Sequence, residues 1–211
     1  MNWNLRLAYL NTFFFGISMG IFQTAFAIFI TQGLFLSNAV LGGLFTVSGV
    51  ASTIFILPSG YLADKYRRDR VIRISVIFGV VASLLMIIST MYVNFPQTAM
   101  NFLMISQIFG GIAWGFNGPA MMALIADSIK IGDRSKYFAS LRFYEEVALT
   151  FGPFIAIIMT IIFGDTWDIV LLQIIITFAA TCEIISFILA SLMSDKRGIS
   201  LGSIENPQDT A

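Results

Sequence analysis

The stretch that decides the fold is a polar interruption between two long apolar runs. It reads Gly60-Tyr61-Leu62-Ala63-Asp64-Lys65-Tyr66-Arg67-Arg68-Asp69-Arg70. The apolar runs that flank it cover residues 40–62 and 71–93, and four more cover 7–30, 101–126, 137–163 and 169–193. Each run is near or above the ~20 residues that a helix needs to cross ~30 Å of hydrocarbon. Apolar segments of this length satisfy their backbone hydrogen bonds in lipid as helices, so we predict an all-α membrane protein with six transmembrane helices.

The basic residues fall on one side of this predicted bundle. The 12 Lys and Arg residues precede the first run, lie in or close to the second and fourth gaps, or follow the last run. The gaps around Gln32, Phe95 and Asp165 contain none. Because cytoplasmic loops carry the excess of Lys and Arg, we expect a multi-pass protein of the cell membrane with both termini in the cytoplasm.

Composition excludes several classes of protein. The chain is 57% hydrophobic and only 11% charged, which is far from the soluble average. It has no His and one Cys, Cys182, so we expect no disulfide, no metal site and no cofactor. No Ser/Lys or paired Asp constellation appears in the spans, which argues against an enzyme. The basic clusters are short and juxtamembrane, so nucleic acid is a poor partner.

The chain divides into two parts by composition. Residues 1–193 form the predicted six-span domain, and residues 194–211 are polar and rich in Gly, Ser, Asn and Pro. The second part is typical of a cytoplasmic tail or of the start of a linker.

The interruption at 60–70 resembles the signature loop of the major facilitator superfamily, whose pattern is Gly-x-x-x-Asp-(Arg/Lys)-x-Gly-(Arg/Lys)-(Arg/Lys). Gly60, Asp64, Lys65 and Arg68 match it in place, whereas Arg67 replaces the second Gly and Asp69 interrupts the final basic pair. The resemblance implies that Asp64 acts as a conformational latch against a helix of a second half. The alternative is that the cluster is only a topology anchor. Gly60 is expected to let a neighbouring helix approach closely.

The resemblance also implies an architecture and a function. We expect a six-helix half built of two inverted three-helix repeats, acting as a secondary active transporter by alternating access. One such half cannot enclose a solute, so it requires a second six-helix half or a self-dimer. The alternative is a non-transporting membrane subunit or an inactive transporter fragment. Gly152-Pro153 in the fifth run loosely resembles the family's antiporter motif and predicts a helix bend.

Three acids lie inside the predicted spans. A charge in hydrocarbon costs at least ~2.5 kcal/mol, so Glu145, Glu146 and Glu183 need a reason to be there. Each is a candidate for proton coupling. The alternatives are that Glu183 makes a hydrogen bond between helices and that Glu145 reaches toward Arg142.

Two helical stripes are candidates for the wall of a solute cavity, since the first and fourth helices line the cavity in the family. The first run carries Asn11, Ser18 and Gln23 among phenylalanines, and the fourth carries Gln107, Trp114 and Asn117. Ordinary packing is the alternative for each of them. A wall of amides and aromatic rings without charge suits a small neutral or lipophilic solute. Gly16-x-x-x-Gly20 and Gly111-x-x-x-Gly115 are predicted to be close-packing grooves.

Overall fold

The computed structural model describes residues 3–163 and 169–193. Within these ranges it contains six α-helices, one π turn at Phe29–Gly33 and one 3-10 turn at Ile131–Asp133. The helices are α1 (Trp3–Ile28), α2 (Asn38–Lys65), α3 (Arg68–Met91), α4 (Pro96–Ser128), α5 (Arg134–Phe163) and α6 (Ile169–Leu192). The predicted tail, 194–211, and the outer gap around Asp165 lie outside the described residues.

Five of the described helices are long and apolar enough to cross a membrane. They are α1 with its π turn, α2, α3, α4 and α6. The 30-residue α5 is not among them, and it carries Arg142, Glu145 and Glu146. The fold is thus that of an all-helical, multi-pass membrane protein in its described part.

Helix packing follows a regular scheme. The central helices are α1, which packs against α5 and α6, and α4, which packs against α2 and α3. A further contact joins α3 to α6. By contrast, α2 and α3 touch little, and so do α5 and α6. Each central helix therefore packs against two other helices, and the contact between α3 and α6 joins the two groups.

Both predicted glycine grooves are present. A Cβ added to Gly16 would lie 2.8 Å from the Cβ of Ala148 on α5, and one added to Gly20 would clash with the carbonyl oxygen of Leu149. On α4, a Cβ on Gly115 would lie 2.6 Å from the carbonyl oxygen of Ser52 on α2. Because glycine has no Cβ, the two helix backbones meet directly in each groove.

The proline in α5 contributes to the first of these grooves. Pro153 has no N–H, so the carbonyl of Leu149 one turn earlier loses its helical donor. That carbonyl is the group against which Gly20 packs. The structure thereby places a freed backbone oxygen at the tightest point of the α1–α5 contact.

The apolar core has two main clusters, one toward each end of the bundle. One contains Leu5, Ala63, Val71, Leu124 and Leu141, which belong to the first five helices close to their basic ends. The other contains Ile30, Leu44, Met86, Leu103 and Leu171. The described Lys and Arg residues lie near the starts of α1, α3 and α5 and near the ends of α2 and α4. They gather at the end of the bundle that contains the first cluster, called the basic end below.

Candidate functional site

Arg68 holds the signature loop onto α4. The loop is short, because α2 ends at Lys65 and α3 begins at Arg68. The buried guanidinium of Arg68 forms an ion pair with Asp127 and donates a hydrogen bond to the carbonyl of Ala123, both near the end of α4. One of the four residues that match the family pattern is therefore a structural tie between α3 and α4.

Asp69, the residue that departs from the family pattern, is the buried acid of the loop. It is 1% exposed, and its carboxylate pairs with Arg67 at 3.1 Å and with Arg73 at 2.7 Å. It also lies in the first turn of α3, where the helix dipole favours a negative charge. Sequence reasoning missed this role, although an arginine two residues before and another four residues after an acid at a helix start was a usable signal.

Asp64 is in the opposite situation. Its side chain lies at the exposed end of α2, and it makes no hydrogen bond or ion pair with any residue of 3–163 or 169–193. Lys65 beside it lies over the rings of Tyr61 and Tyr66, at 5.7 and 5.8 Å from their centroids. Within the described part of the chain, the acid of the signature is thus free to accept a partner.

No described helix approaches Gly60, so the close approach of a neighbouring helix at this glycine stays a prediction. Nothing lies within 4 Å of the position that a Cβ would take there. Gly42, Gly43 and Gly49 on the same helix also face open space. The glycine therefore does not serve contact with a helix of the described bundle.

Glu183 lies buried between three helices. It is 2% exposed on α6, and Ser83 of α3 donates a hydrogen bond to its Oε2 at 3.0 Å. Ser18 of α1 lies beside the same carboxyl. A Cβ on Gly79 of α3 would lie 3.0 Å from its Oε1, so that glycine makes room for the acid. Sequence reasoning selected Glu183 and Ser18 but missed Gly79 and Ser83.

Asn11 serves the packing of α1 on α6. It is fully buried, and its amide donates to the carbonyl oxygen of Ser186 at 2.8 Å and to the Oγ of Ser186 at 2.7 Å. Gln23, grouped with Asn11 and Ser18 from the sequence, is exposed. The predicted stripe on α1 is therefore divided between two surfaces.

The predicted stripe on α4 is less divided than the one on α1, because neither of its amides is exposed. Gln107 and Asn117 are buried, and Trp114 between them stacks on Phe15 of α1 with ring centroids 6.1 Å apart. The Nε2 of Gln107 has no hydrogen-bond partner among the described residues. The hydroxyl of Ser75 on α3 lies 3.5 Å from the Oδ1 of Asn117. Trp114 thus faces α1 and Asn117 faces α3, on an uncharged amide and aromatic side of α4.

The two acids of α5 share one cation. Arg142 pairs with Glu145 and with Glu146, each at 2.8 Å. The side chain of Glu145 is 14% exposed and that of Glu146 is 56% exposed. Glu146 also lies one turn before Thr150, whose hydroxyl donates to the Glu146 carbonyl at 2.9 Å. The charges of both acids are thus balanced by Arg142 near the basic end. Gly152 and Pro153 lie further along the same helix.

Comparison with known families agrees with this arrangement. The family model of the Major Facilitator Superfamily matches residues 8–204. The chain belongs to the major facilitator superfamily. This is a family of transporters, so the superfamily assignment also agrees with the expectation that the chain is not an enzyme.

One curated relative is an uncharacterized MFS-type transporter of Methanocaldococcus jannaschii. It is 28% identical to this chain over 166 residues, which cover 76% of this chain and 39% of the relative. The chain therefore spans about two fifths of the length of that superfamily member.

Proposed function

We propose that the chain is a six-helix half of a secondary active transporter that moves a small neutral or lipophilic solute by alternating access. In this proposal α5 is the sixth span, the protein lies in the cell membrane, and both termini face the cytoplasm. Membership of the superfamily supports transport in general. The gathering of the described Lys and Arg residues at one end supports the orientation.

The helix contacts support two related three-helix units. Exchanging α1 with α4, α2 with α5 and α3 with α6 leaves the scheme of strong contacts unchanged. The glycine grooves follow the same exchange, since Gly16 and Gly20 of α1 meet α5 as Gly111 and Gly115 of α4 meet α2. We take this as support for inverted repeats, the plan on which such transporters place a solute site near the midplane.

The observation that carries the proposal is the bare face of α2. In its most apolar 18-residue stretch only 11% of the residues are buried, against 67% in the corresponding stretch of α1. Gly42, Gly49 and Gly60 of the same helix have no described atom within 4 Å of the position that a Cβ would take. Small residues are enriched where transmembrane helices meet, because they let backbones approach. We infer that a second six-helix unit covers this face, either another copy or a separate half.

Asp64 fits the same inference. Asp64 is exposed at the end of the bare helix and has no partner among the described residues, so it is suited to the N-terminal end of a helix of the second unit. Breaking and remaking that contact would accompany the rocking of the halves. Arg68 does not take part in this movement, because it remains paired with Asp127. Lys65 lies over the rings of Tyr61 and Tyr66.

The chemistry of the solute follows from the surface between α1 and α4. Trp114, Gln107 and Asn117 offer one aromatic ring and two amides, and no charged residue lies among them. Side chains of this kind, where they line a solute pocket, bind apolar groups and orient them with a few hydrogen bonds. Glu183 is the candidate proton-coupling group, because it is buried next to this region with one hydroxyl donor.

A transport assay in inside-out vesicles tests the proposal. The probes are a panel of neutral and lipophilic fluorescent solutes, followed with and without an imposed pH gradient. We expect Asp64→Asn to abolish transport and Glu183→Gln to remove its dependence on the gradient. Asp133→Asn is the control, because it removes an exposed acid from the same end of the bundle.

The outcomes separate the competing functions. Unchanged transport in both Asp64→Asn and Glu183→Gln would contradict the latch and the coupling site. Absence of transport for every probe by the unmodified chain, expressed with its partner, would favour a non-transporting membrane subunit.

A further inference from the structure

A cavity of about 600 Å³ lies between α1 and α5 at the basic end of the bundle. Its lining includes two cations, Arg6 and Lys136, and three tyrosines, Tyr9, Tyr137 and Tyr144. Leu10, Phe13 and Ser140 complete it. None of the signature-loop or acid residues discussed above belongs to this lining, so the cavity is a separate feature.

The cavity opens on the side of α1 that faces away from α4. Successive residues of a helix are about 100° apart, so the contacts of α1 can be ordered around its axis. Asn11 meets α6, Phe15 meets α4 and Gly16 meets α5. Arg6 and Leu10 fall on the remaining arc, between α5 and α6. Because α5 and α6 barely touch each other, this arc is open to the surroundings of the bundle.

The rim of the cavity is positive and unneutralised. Arg6 and Lys136 are exposed, and neither forms an ion pair with any residue in the described ranges 3–163 and 169–193. No acidic residue of the described part of the chain lines the cavity. Lys136 also lies near the start of α5, where the helix dipole adds positive potential. Two cations in this setting favour an anionic group between them.

The walls below the rim are aromatic and apolar. The rings of Tyr9 and Tyr144 meet edge to face at 5.2 Å, and the Tyr9 hydroxyl donates to the carbonyl of Tyr137 at 3.3 Å. Leu10 and Phe13 follow Arg6 by four and seven residues, so Phe13 lies about 10 Å deeper along the helix. Tyrosines at the level of the headgroups with apolar residues beneath them match the profile of a membrane interface.

We propose that this cavity binds one anionic phospholipid of the cytoplasmic leaflet. Arg6 and Lys136 hold its phosphate, Ser140 and the tyrosines surround the glycerol region, and the first part of an acyl chain lies along Leu10 and Phe13. A basic pocket between transmembrane helices on the cytoplasmic side suits an anionic headgroup. A soluble phosphate compound would leave the apolar lower half of the cavity empty. The lipid would brace the α1–α5 contact, and its binding does not depend on transport.

Lipid retention by native mass spectrometry tests this proposal. The chain is purified in mild detergent and titrated with phosphatidylglycerol, with phosphatidylcholine and with inorganic phosphate. We expect phosphatidylglycerol to bind with 1:1 stoichiometry and at least tenfold more tightly than phosphatidylcholine. The double variant Arg6→Gln/Lys136→Gln should lose at least tenfold in affinity for phosphatidylglycerol.

Two further variants make the test specific. Arg70→Gln/Lys130→Gln removes the same charge from exposed positions at the same end but outside the cavity, and it should bind phosphatidylglycerol normally. Arg6→Lys/Lys136→Arg keeps both charges and should restore binding, which excludes misfolding as the cause of the loss.

Three results would overturn the proposal. The first is equal loss of phosphatidylglycerol in the cavity variant and in the control. The second is equal affinity for phosphatidylglycerol and phosphatidylcholine. The third is displacement of bound phosphatidylglycerol by millimolar inorganic phosphate, which would mean that the cavity binds a free phosphate and not a lipid.

Discussion

The glycines of α1 and α4 differ from those of α2 in what lies beside them. Gly16, Gly20, Gly111 and Gly115 on α1 and α4 lie directly against a neighbouring helix. Gly42, Gly43, Gly49 and Gly60 on α2 have nothing within 4 Å of a Cβ position. The first group makes the bundle compact. The second group has no neighbour among the described residues, which supports our proposal that α2 contacts a second unit.

The same difference separates the two acids of the signature loop. Asp69 is buried and holds two arginines, whereas Asp64 is exposed and holds none among the described residues. Asp69 stabilises the described bundle, and we propose that Asp64 contacts a second unit. Substitutions that affect stability and substitutions that affect assembly should therefore fall at different positions.

The largest effect on stability is expected at the α1–α5 groove. Gly20→Leu forces a side chain against the carbonyl of Leu149, and overpacking of this kind costs ~3 kcal/mol. Thermal unfolding in detergent should show a clear loss of stability. The matched change Gly49→Leu points into open space and should leave unfolding unaltered. Equal losses in both variants would remove the distinction between the two groups of glycines.

A smaller effect is expected at Asp69. Asp69→Asn removes the charge shared by Arg67 and Arg73 and should destabilise the chain by about 2 kcal/mol. Asp64→Asn should change stability by no more than ~0.5 kcal/mol, as for an exposed side chain. Denaturant titration of both variants checks this. A destabilisation by Asp64→Asn as large as that by Asp69→Asn would show that Asp64 serves this unit after all.

Next to Glu183 we expect a smaller loss of stability than at Asp69. Ser83→Ala removes the hydroxyl that donates to the Glu183 carboxyl, at a cost of ~1 kcal/mol. Ser191→Ala is a control on α6, because its exposed hydroxyl bonds only within its own helix. The difference between the two variants in thermal unfolding measures the interhelical bond alone. No difference would mean that the bond between α3 and α6 contributes nothing to stability.

Much of this arrangement could be predicted from the sequence, for physical reasons that differ by region. Lipid imposes long apolar helices, so the spans around Val71 and Leu103 are visible in composition alone. Spacing of four residues predicted the grooves at Gly16 and Gly20. The role of Asp69 was missed because a family pattern directed attention to Asp64. The separation of Gln23 from Asn11 depends on which neighbour each face of α1 meets, and sequence spacing does not determine that.

Residues that create space were the hardest to predict. Gly79 is one of many glycines in the chain, and only the position of Glu183 on another helix explains why a side chain is absent there. The cavity at Arg6 and Lys136 combines residues that are far apart in the chain. From the sequence, Arg6 and Lys136 were each interpreted only as markers of the cytoplasmic side. The packing of α1 against α5 brings both to one cavity.

Photo-crosslinking in the native membrane tests the central claim most directly. A benzophenone amino acid replaces Val50 on the bare face of α2, and in a second variant it replaces Ile184 on α6. The two positions are 53% and 50% exposed, so they are matched in accessibility. We predict that the probe at position 50 captures a polypeptide of a second six-helix unit while the probe at position 184 captures lipid. Capture of lipid alone at both positions would contradict the account.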